Sequence, residues 1–246
     1  MKRVPGVVWF AIRSMYDELF PLSGMGLIWF VMAVVPPLGV FELTRTYLPN
    51  NPVLGIVLVL ISLIPAPPAT AALYYVTSFI AREKRIEFNY FWQGLKTYFW
   101  KSWAVAGVLL IIGGILVVDV VFYLRSSNTL FAIIGFLGIW ALALWLVIQI
   151  YLFPLMIHQE DKRLVHIFKN GSLLTLAYPF FALGILVAMV LFTALSVLLI
   201  ILLPTLWMPF VTLLNNRALV SSLGEVEQYQ QAQEELDEER EGESES

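Results

Sequence analysis

Three prolines within four positions, in the run Ile64-Pro-Ala-Pro-Pro-Ala-Thr70, stand inside a stretch that carries no charge from Thr46 to Ala81. Pro65, Pro67 and Pro68 each lack an N–H and crowd the preceding turn, so an α-helix stops there and a new one starts. Counted from Val53 at about 1.5 Å per residue, Pro65 lies about 18 Å down, near the middle of a bilayer. A helix broken at that depth presents unpaired N–H groups and the positive end of a helix dipole, which is how many transporters hold an anionic or polar substrate. Pro65, Pro67, Pro68 and Thr70, with the amides near Ala69, are therefore a candidate substrate-binding site. The competing reading is a proline kink packed against neighbouring helices, which needs no ligand.

Two further polar residues interrupt apolar stretches. Asp119 is the one acid inside an otherwise apolar span, a candidate proton or cation site if it faces the interior and a hydrated carboxylate if it lies at the outer interface. Gln149 offers either an interhelical hydrogen bond or a substrate contact. His158, Glu160, Asp161 and His166 suggest a metal, but their spacing fits no ligand pattern and Lys162 and Arg163 would repel a cation, so no metal and no cofactor is expected. No nucleophile elbow, zinc-protease helix or phosphate loop occurs, so no catalytic residue is assigned and no enzyme is expected. The basic residues are spread along the chain between apolar runs, which argues against a nucleic-acid partner.

These residues need elements to hold them, and composition decides which. Hydrophobic residues make up 59% of the 246 and charged ones only 13%, against about a quarter charged in soluble domains. A soluble fold could not hide that much apolar surface, and no alternating strand pattern of a membrane barrel is present. The expected fold is all-α, a polytopic transmembrane bundle in a lipid bilayer. Uncharged intervals run from Leu19 to Phe41, Thr46 to Ala81, Ser102 to Val118, Ser126 to Ile157 and Asn170 to Asn216. About 20 residues cross a bilayer. The last interval, 47 residues long, would reach about 70 Å as one helix, so it folds back near Pro204 and Pro209. Six spans are the expectation, the second broken by prolines. The sixth, Leu206 to Leu223, is half polar through Asn215, Asn216, Arg217, Ser221 and Ser222, and could be a half-span.

Basic residues concentrate on one side of this scheme: with the N-terminus inside, only Arg45 and Arg125 lie outside, which predicts cytoplasmic N- and C-termini. Between spans, Phe88, Phe91, Trp92, Leu95, Phe99 and Trp103 recur on one helical face, predicting an aromatic interfacial helix over Glu87 to Trp103. A second cytoplasmic connection follows His158. A slide of 77 residues aligns Glu83 with Glu160, Phe91 with Phe168 and Gly94 with Gly171; that hints at a parallel repeat, although shared membrane composition produces matches of this number by chance. Residues 1–224 read as a single transmembrane helical domain. Residues 225–246 hold ten acids against the single Arg240 and read as an acidic cytoplasmic tail, disordered or frayed.

Several of these segments carry a resemblance. Pro68-Ala-Thr-Ala-Ala-Leu-Tyr-Tyr-Val-Thr77, Phe91-Trp-Gln-Gly-Leu-Lys96, Tyr151-Leu-Phe-Pro-Leu155, Lys169-Asn170 and Leu214-Asn-Asn216 resemble the YesL family of bacterial membrane proteins, from about Val53 to Leu223. The prolines at the turn and the acidic tail depart from that family's usual pattern. The resemblance implies a multi-pass protein of the bacterial cytoplasmic membrane, and an association with carbohydrate uptake; it implies no ligand residue. Two functions are therefore weighed: a carrier or transport accessory, whose partner is a carbohydrate transporter or other membrane protein, and a non-transporting scaffold that binds a partner through its cytoplasmic helices and tail. A carrier requires a polar cavity around Pro65 to Thr70. A scaffold is packed shut there and keeps an apolar groove among its cytoplasmic helices.

Overall fold

The computed structural model describes residues 4–125, 129–159 and 163–244, and all regular structure among them is helical. Helix α1 (Val4–Asp17) is amphipathic and lies against the bundle through Val7 and Ala11. Helices α2 (Leu19–Ala33) and α3 (Val35–Tyr47) form one apolar rod, broken at Val34 just ahead of Pro36 and Pro37. Helices α4 (Pro52–Ser62) and α5 (Ala66–Ala81) form a second, broken where the three prolines predict. Then come α6 (Asn89–Thr97), α7 (Phe99–Leu124), α8 (Thr129–His158), α9 (Leu164–Ala177), α10 (Pro179–Leu198), the single turn α11 (Leu202–Thr205) and the long α12 (Trp207–Ser244).

Among the described residues, five stretches are long and apolar enough to cross a membrane: Leu19–Tyr47, Pro52–Ala81, Phe99–Leu124, Thr129–His158 and Pro179–Leu198. Their outward faces are apolar, as Leu110, Val118, Phe122, Leu137 and Trp140 on α7 and α8 illustrate; that surface suits hydrocarbon and not water. The sixth expected span is not among the five. Its sequence forms the first half of α12, and that half is the most enclosed helix of the bundle, with Phe210, Leu213, Leu214, Ala218 and Leu219 almost without exposure. The polar residues that weaken it on a hydropathy count, Asn215, Asn216, Ser221 and Ser222, are also buried. They face other helices. The backbone of α12 continues as helix for 38 residues, through the acidic segment, and at about 1.5 Å per residue spans about 57 Å.

Close approach is set by small residues. The α-carbon of Gly26 lies so near the chain at α11 that an added Cβ would sit 1.8 Å from the Thr205 carbonyl oxygen. Gly94 presses α6 onto α5, where a Cβ would meet Tyr75 at 2.8 Å, and Gly171 presses α9 onto α8, where it would meet Leu152 at 2.9 Å. Tyr75 and Leu152 are themselves 77 positions apart, as are Gly94 and Gly171, the buried Tyr74 and Tyr151, and the last residues of α5 and α8, Ala81 and His158. The seating of α6 on α5 and of α9 on α8 thus recurs at the offset of 77, whereas α7 and α10 begin 80 positions apart. The aromatic helix expected from Glu87 to Trp103 is divided at Tyr98, so that Phe91 is buried against α5 while Trp100 is turned outward.

Gly26→Ala is expected to lower thermal stability in detergent by about 1–3 kcal/mol, because the new methyl meets backbone that cannot rotate away. Gly39→Ala, which meets nothing within 4 Å, should leave stability unchanged or raise it by up to about 1 kcal/mol. Equal effects of the two would show that α2 and α11 do not pack as described.

Candidate functional site

At the proline break the backbone leaves no donor for a ligand. Pro67 and Pro68 have no N–H, the Ala66 amide donates to Leu63 O at 3.0 Å, and the Ala69 amide donates to Pro65 O at 3.1 Å. The amide expected to be free near Ala69 is thus taken, because the prolines occupy those first-turn positions whose donors a helix normally leaves open. The carbonyls that the prolines would strand are also filled. Ile61 O accepts from the Ile64 amide, Leu63 O from Ala66, and Ile64 O from the Trp103 indole at 3.1 Å. Thr70 is half-buried, and its hydroxyl accepts a 2.9 Å bond from the Trp29 indole. Pro68, Ala69, Ala71 and Ala72 around it are buried.

Asp119 is exposed on α7 and Gln149 is half-buried on α8. The three prolines and Thr70 share the break, while Asp119 and Gln149 belong to two other helices, α7 and α8. Glu160 and Asp161 of the rejected metal cluster lie outside the described residues, and no group of three His, Cys, Asp or Glu among the described residues is placed to hold a metal ion.

Polar groups converge instead about two turns further along α5, where it meets α8 and α12. The Asn216 side-chain amide donates to the Tyr74 carbonyl and to the Thr77 hydroxyl, each at 2.8 Å. Its oxygen lies 3.1 Å from His158 Nε2, and His158 Nδ1 lies 2.6 Å from the Arg82 guanidinium. A guanidinium only donates, so Nδ1 must be the unprotonated acceptor; Nε2 then carries the proton and donates to Asn216. One asparagine thereby ties three helices together in a continuous line from Arg82 to Thr77. Next to it, Asn215 donates to the Tyr74 hydroxyl at 2.8 Å, and the Tyr74 ring stacks on Phe153 of α8. The Asn215 side-chain oxygen is buried with no hydrogen-bond partner. Seven residues on, Ser222 lies 3.5 Å from the hydroxyl of Tyr151, the counterpart of Tyr74 in the repeat.

Arg217 closes the end of α5. It donates to the Ala81 carbonyl at 2.8 Å, pairs with Glu83 at 3.5 Å, and lies 3.8 Å above the Phe10 ring of α1. A cation at a helix C-terminus satisfies carbonyls that have no partner in their own helix. Glu83 sits at φ 61°, with its amide bonded to Ile80 O and the Lys84 amide to Phe79 O. That is the usual glycine-ended closure of a helix with a glutamate in the glycine's place, at a cost of about 1 kcal/mol.

Apart from His158, which was weighed as a metal ligand and rejected, none of these residues was a candidate from sequence alone. The signal was present in the Tyr-Tyr-Val-Thr77, Tyr151-Leu-Phe153 and Leu-Asn-Asn216 segments, which fold onto one another here. Beside the cluster, an apolar groove of about 350 Å³ lies between α8, α9 and α12, lined by Leu155, Gln159, Asn170, Leu174 and Leu223. The Gln159 side-chain oxygen in it is buried and unpartnered.

The fold and site define an all-α protein with membrane-crossing character whose centre is a buried polar clamp. A family described as a protein of unknown function, DUF624, matches residues 22–120, from α2 into α7, which contains the proline break and Tyr74 but not α8 or α12. No curated protein matches the chain, and no solved structure does.

Asn216→Leu should destabilise by about 2–4 kcal/mol, since it removes the bonds to the Tyr74 carbonyl and the Thr77 hydroxyl and leaves His158 Nε2 without its acceptor. Asn215→Leu should cost about 1 kcal/mol less than that, because one of its two polar atoms has no partner to lose. Thermal unfolding of the two variants in detergent decides; a milder Asn216 variant would show the clamp to be incidental.

Proposed function

We propose that the protein is a non-transporting, non-enzymatic accessory of the bacterial cytoplasmic membrane that binds a partner through its cytoplasmic helices α6, α9 and α12. The observation that carries the reading is the proline break, where the neighbouring amides and the three carbonyls that lose a donor to proline are bonded within the protein. A carrier has to offer a passing solute hydrogen bonds at mid-depth, and the amides and stranded carbonyls at this break are already bonded within the protein. The apolar groove between α8, α9 and α12 is the kind of surface a scaffold retains. Clamped at its root by Asn215 and Asn216, α12 leads outward into ten acidic residues, which favour a partner with a basic face. The excess of basic residues at this end of the bundle supports placing both termini in the cytoplasm. The resemblance to the YesL family makes a carbohydrate uptake system the first partner to seek.

Purified protein in vesicles should take up labelled mono- and disaccharides no faster than empty vesicles, and Thr70→Val or Asp119→Asn should change nothing. Saturable uptake lost in either variant would restore the carrier reading. Removal of residues 225–246 is expected to reduce recovery of a membrane partner in affinity purification at least threefold; identical recoveries would mean that the tail contributes nothing to binding.

A further inference from the structure

Where α1 packs beside the end of α5, a crevice of about 450 Å³ is walled by charges of both signs. Arg13, Lys84 and Arg85 bring three positive charges, Asp17 and Glu18 two negative ones, and Phe10 lies among them. No side-chain hydrogen bond or ion pair joins those five charged residues to one another or to any other residue among the described ones, whereas Glu83, which also borders the crevice, is held by Arg217. Oppositely charged side chains around one small space would ordinarily pair, and here they are left open. Their height relative to a bilayer is fixed by their neighbours: Trp9 and Tyr16 on α1, and Phe20 just after it, are strongly exposed aromatic side chains, and the charge-free rod Pro52–Ala81 ends at the crevice. Aromatic rings of this kind settle at the headgroup level. Lys84 and Arg85, which wall the crevice, directly follow the αL turn at Glu83.

We propose that this crevice is a binding site for the headgroup of a zwitterionic aminophospholipid. The phosphate is held by Arg13, Lys84 and Arg85, and the primary ammonium donates to Asp17 and Glu18. Anionic lipids satisfy the cations and leave the acids unpaired. Choline lipids carry both signs, but their quaternary ammonium has no N–H to donate. The preference expected is therefore phosphatidylethanolamine over both phosphatidylglycerol and phosphatidylcholine, and it stands apart from the identity of any protein partner.

The test is native mass spectrometry of the delipidated full chain titrated with these three lipids on identical acyl chains. Phosphatidylethanolamine should bind about tenfold more tightly than the other two. In the Asp17→Asn, Glu18→Gln double variant the order should reverse, with phosphatidylglycerol first, because three unopposed cations remain. Equal binding of the three lipids by the wild-type chain overturns the proposal, and so does a double variant that folds and keeps the ethanolamine preference. If soluble phosphoethanolamine displaces the lipid at equal concentration, the site reads a free zwitterion and not a membrane lipid, and the proposal fails in that form.

Discussion

The amide of Asn216 is the contact around which the bundle is assembled. It is nearly the least apolar group that a membrane helix can carry to its centre, and it is tolerated because each of its polar atoms meets a partner: a carbonyl and a hydroxyl of α5 and a histidine of α8. In hydrocarbon, helices gain little from apolar contact with one another, since lipid tails provide the same contact; hydrogen bonds and close packing distinguish a specific neighbour from lipid. The same logic applies to Asn215 with Tyr74 and to Arg217 with the end of α5. Three consecutive residues of α12 therefore determine how α1, α5 and α8 are arranged.

This explains an inversion in the sequence. The five apolar rods were legible from charge-free intervals, because lipid imposes a length and composition that can be read without any knowledge of neighbours. The break in the second was legible to the residue, since a proline's missing donor is a covalent fact. Its consequence was not legible, because the groups that close it arrive from elsewhere: Trp103 reaches Ile64 across 39 positions and Trp29 reaches Thr70 across 41. The polarity of Asn215 and Asn216 read as a weakness in the sixth span. Periodicity reports that a helical face is polar, and it does not report whether that face meets water or the hydroxyl of a tyrosine 141 positions upstream.

The offset of 77 gave three matches in sequence, and the structure adds one pair of helix contacts at the same spacing, α6 on α5 and α9 on α8. Two glycines at equal spacing are unremarkable in a membrane protein. Two glycines that each admit a helix against residues themselves 77 apart describe equivalent packing. The two halves then meet α12 differently, through an asparagine at Tyr74 and a serine at Tyr151, so the symmetry is broken at the helix that joins them. Glu83 shows a related exchange: a glycine would relax the backbone there, but would give up the carboxylate that Arg217 engages.

The sealed break in the second rod has an electrical consequence. A conducting pathway needs a file of water or of solvating dipoles through the low-dielectric layer, and a gap in a membrane helix is the usual place for one to begin. Here proline rings replace the amides, and an indole plugs the exposed carbonyl. The helix is mechanically discontinuous, yet its breakpoint adds no row of unpaired amide donors to the low-dielectric layer.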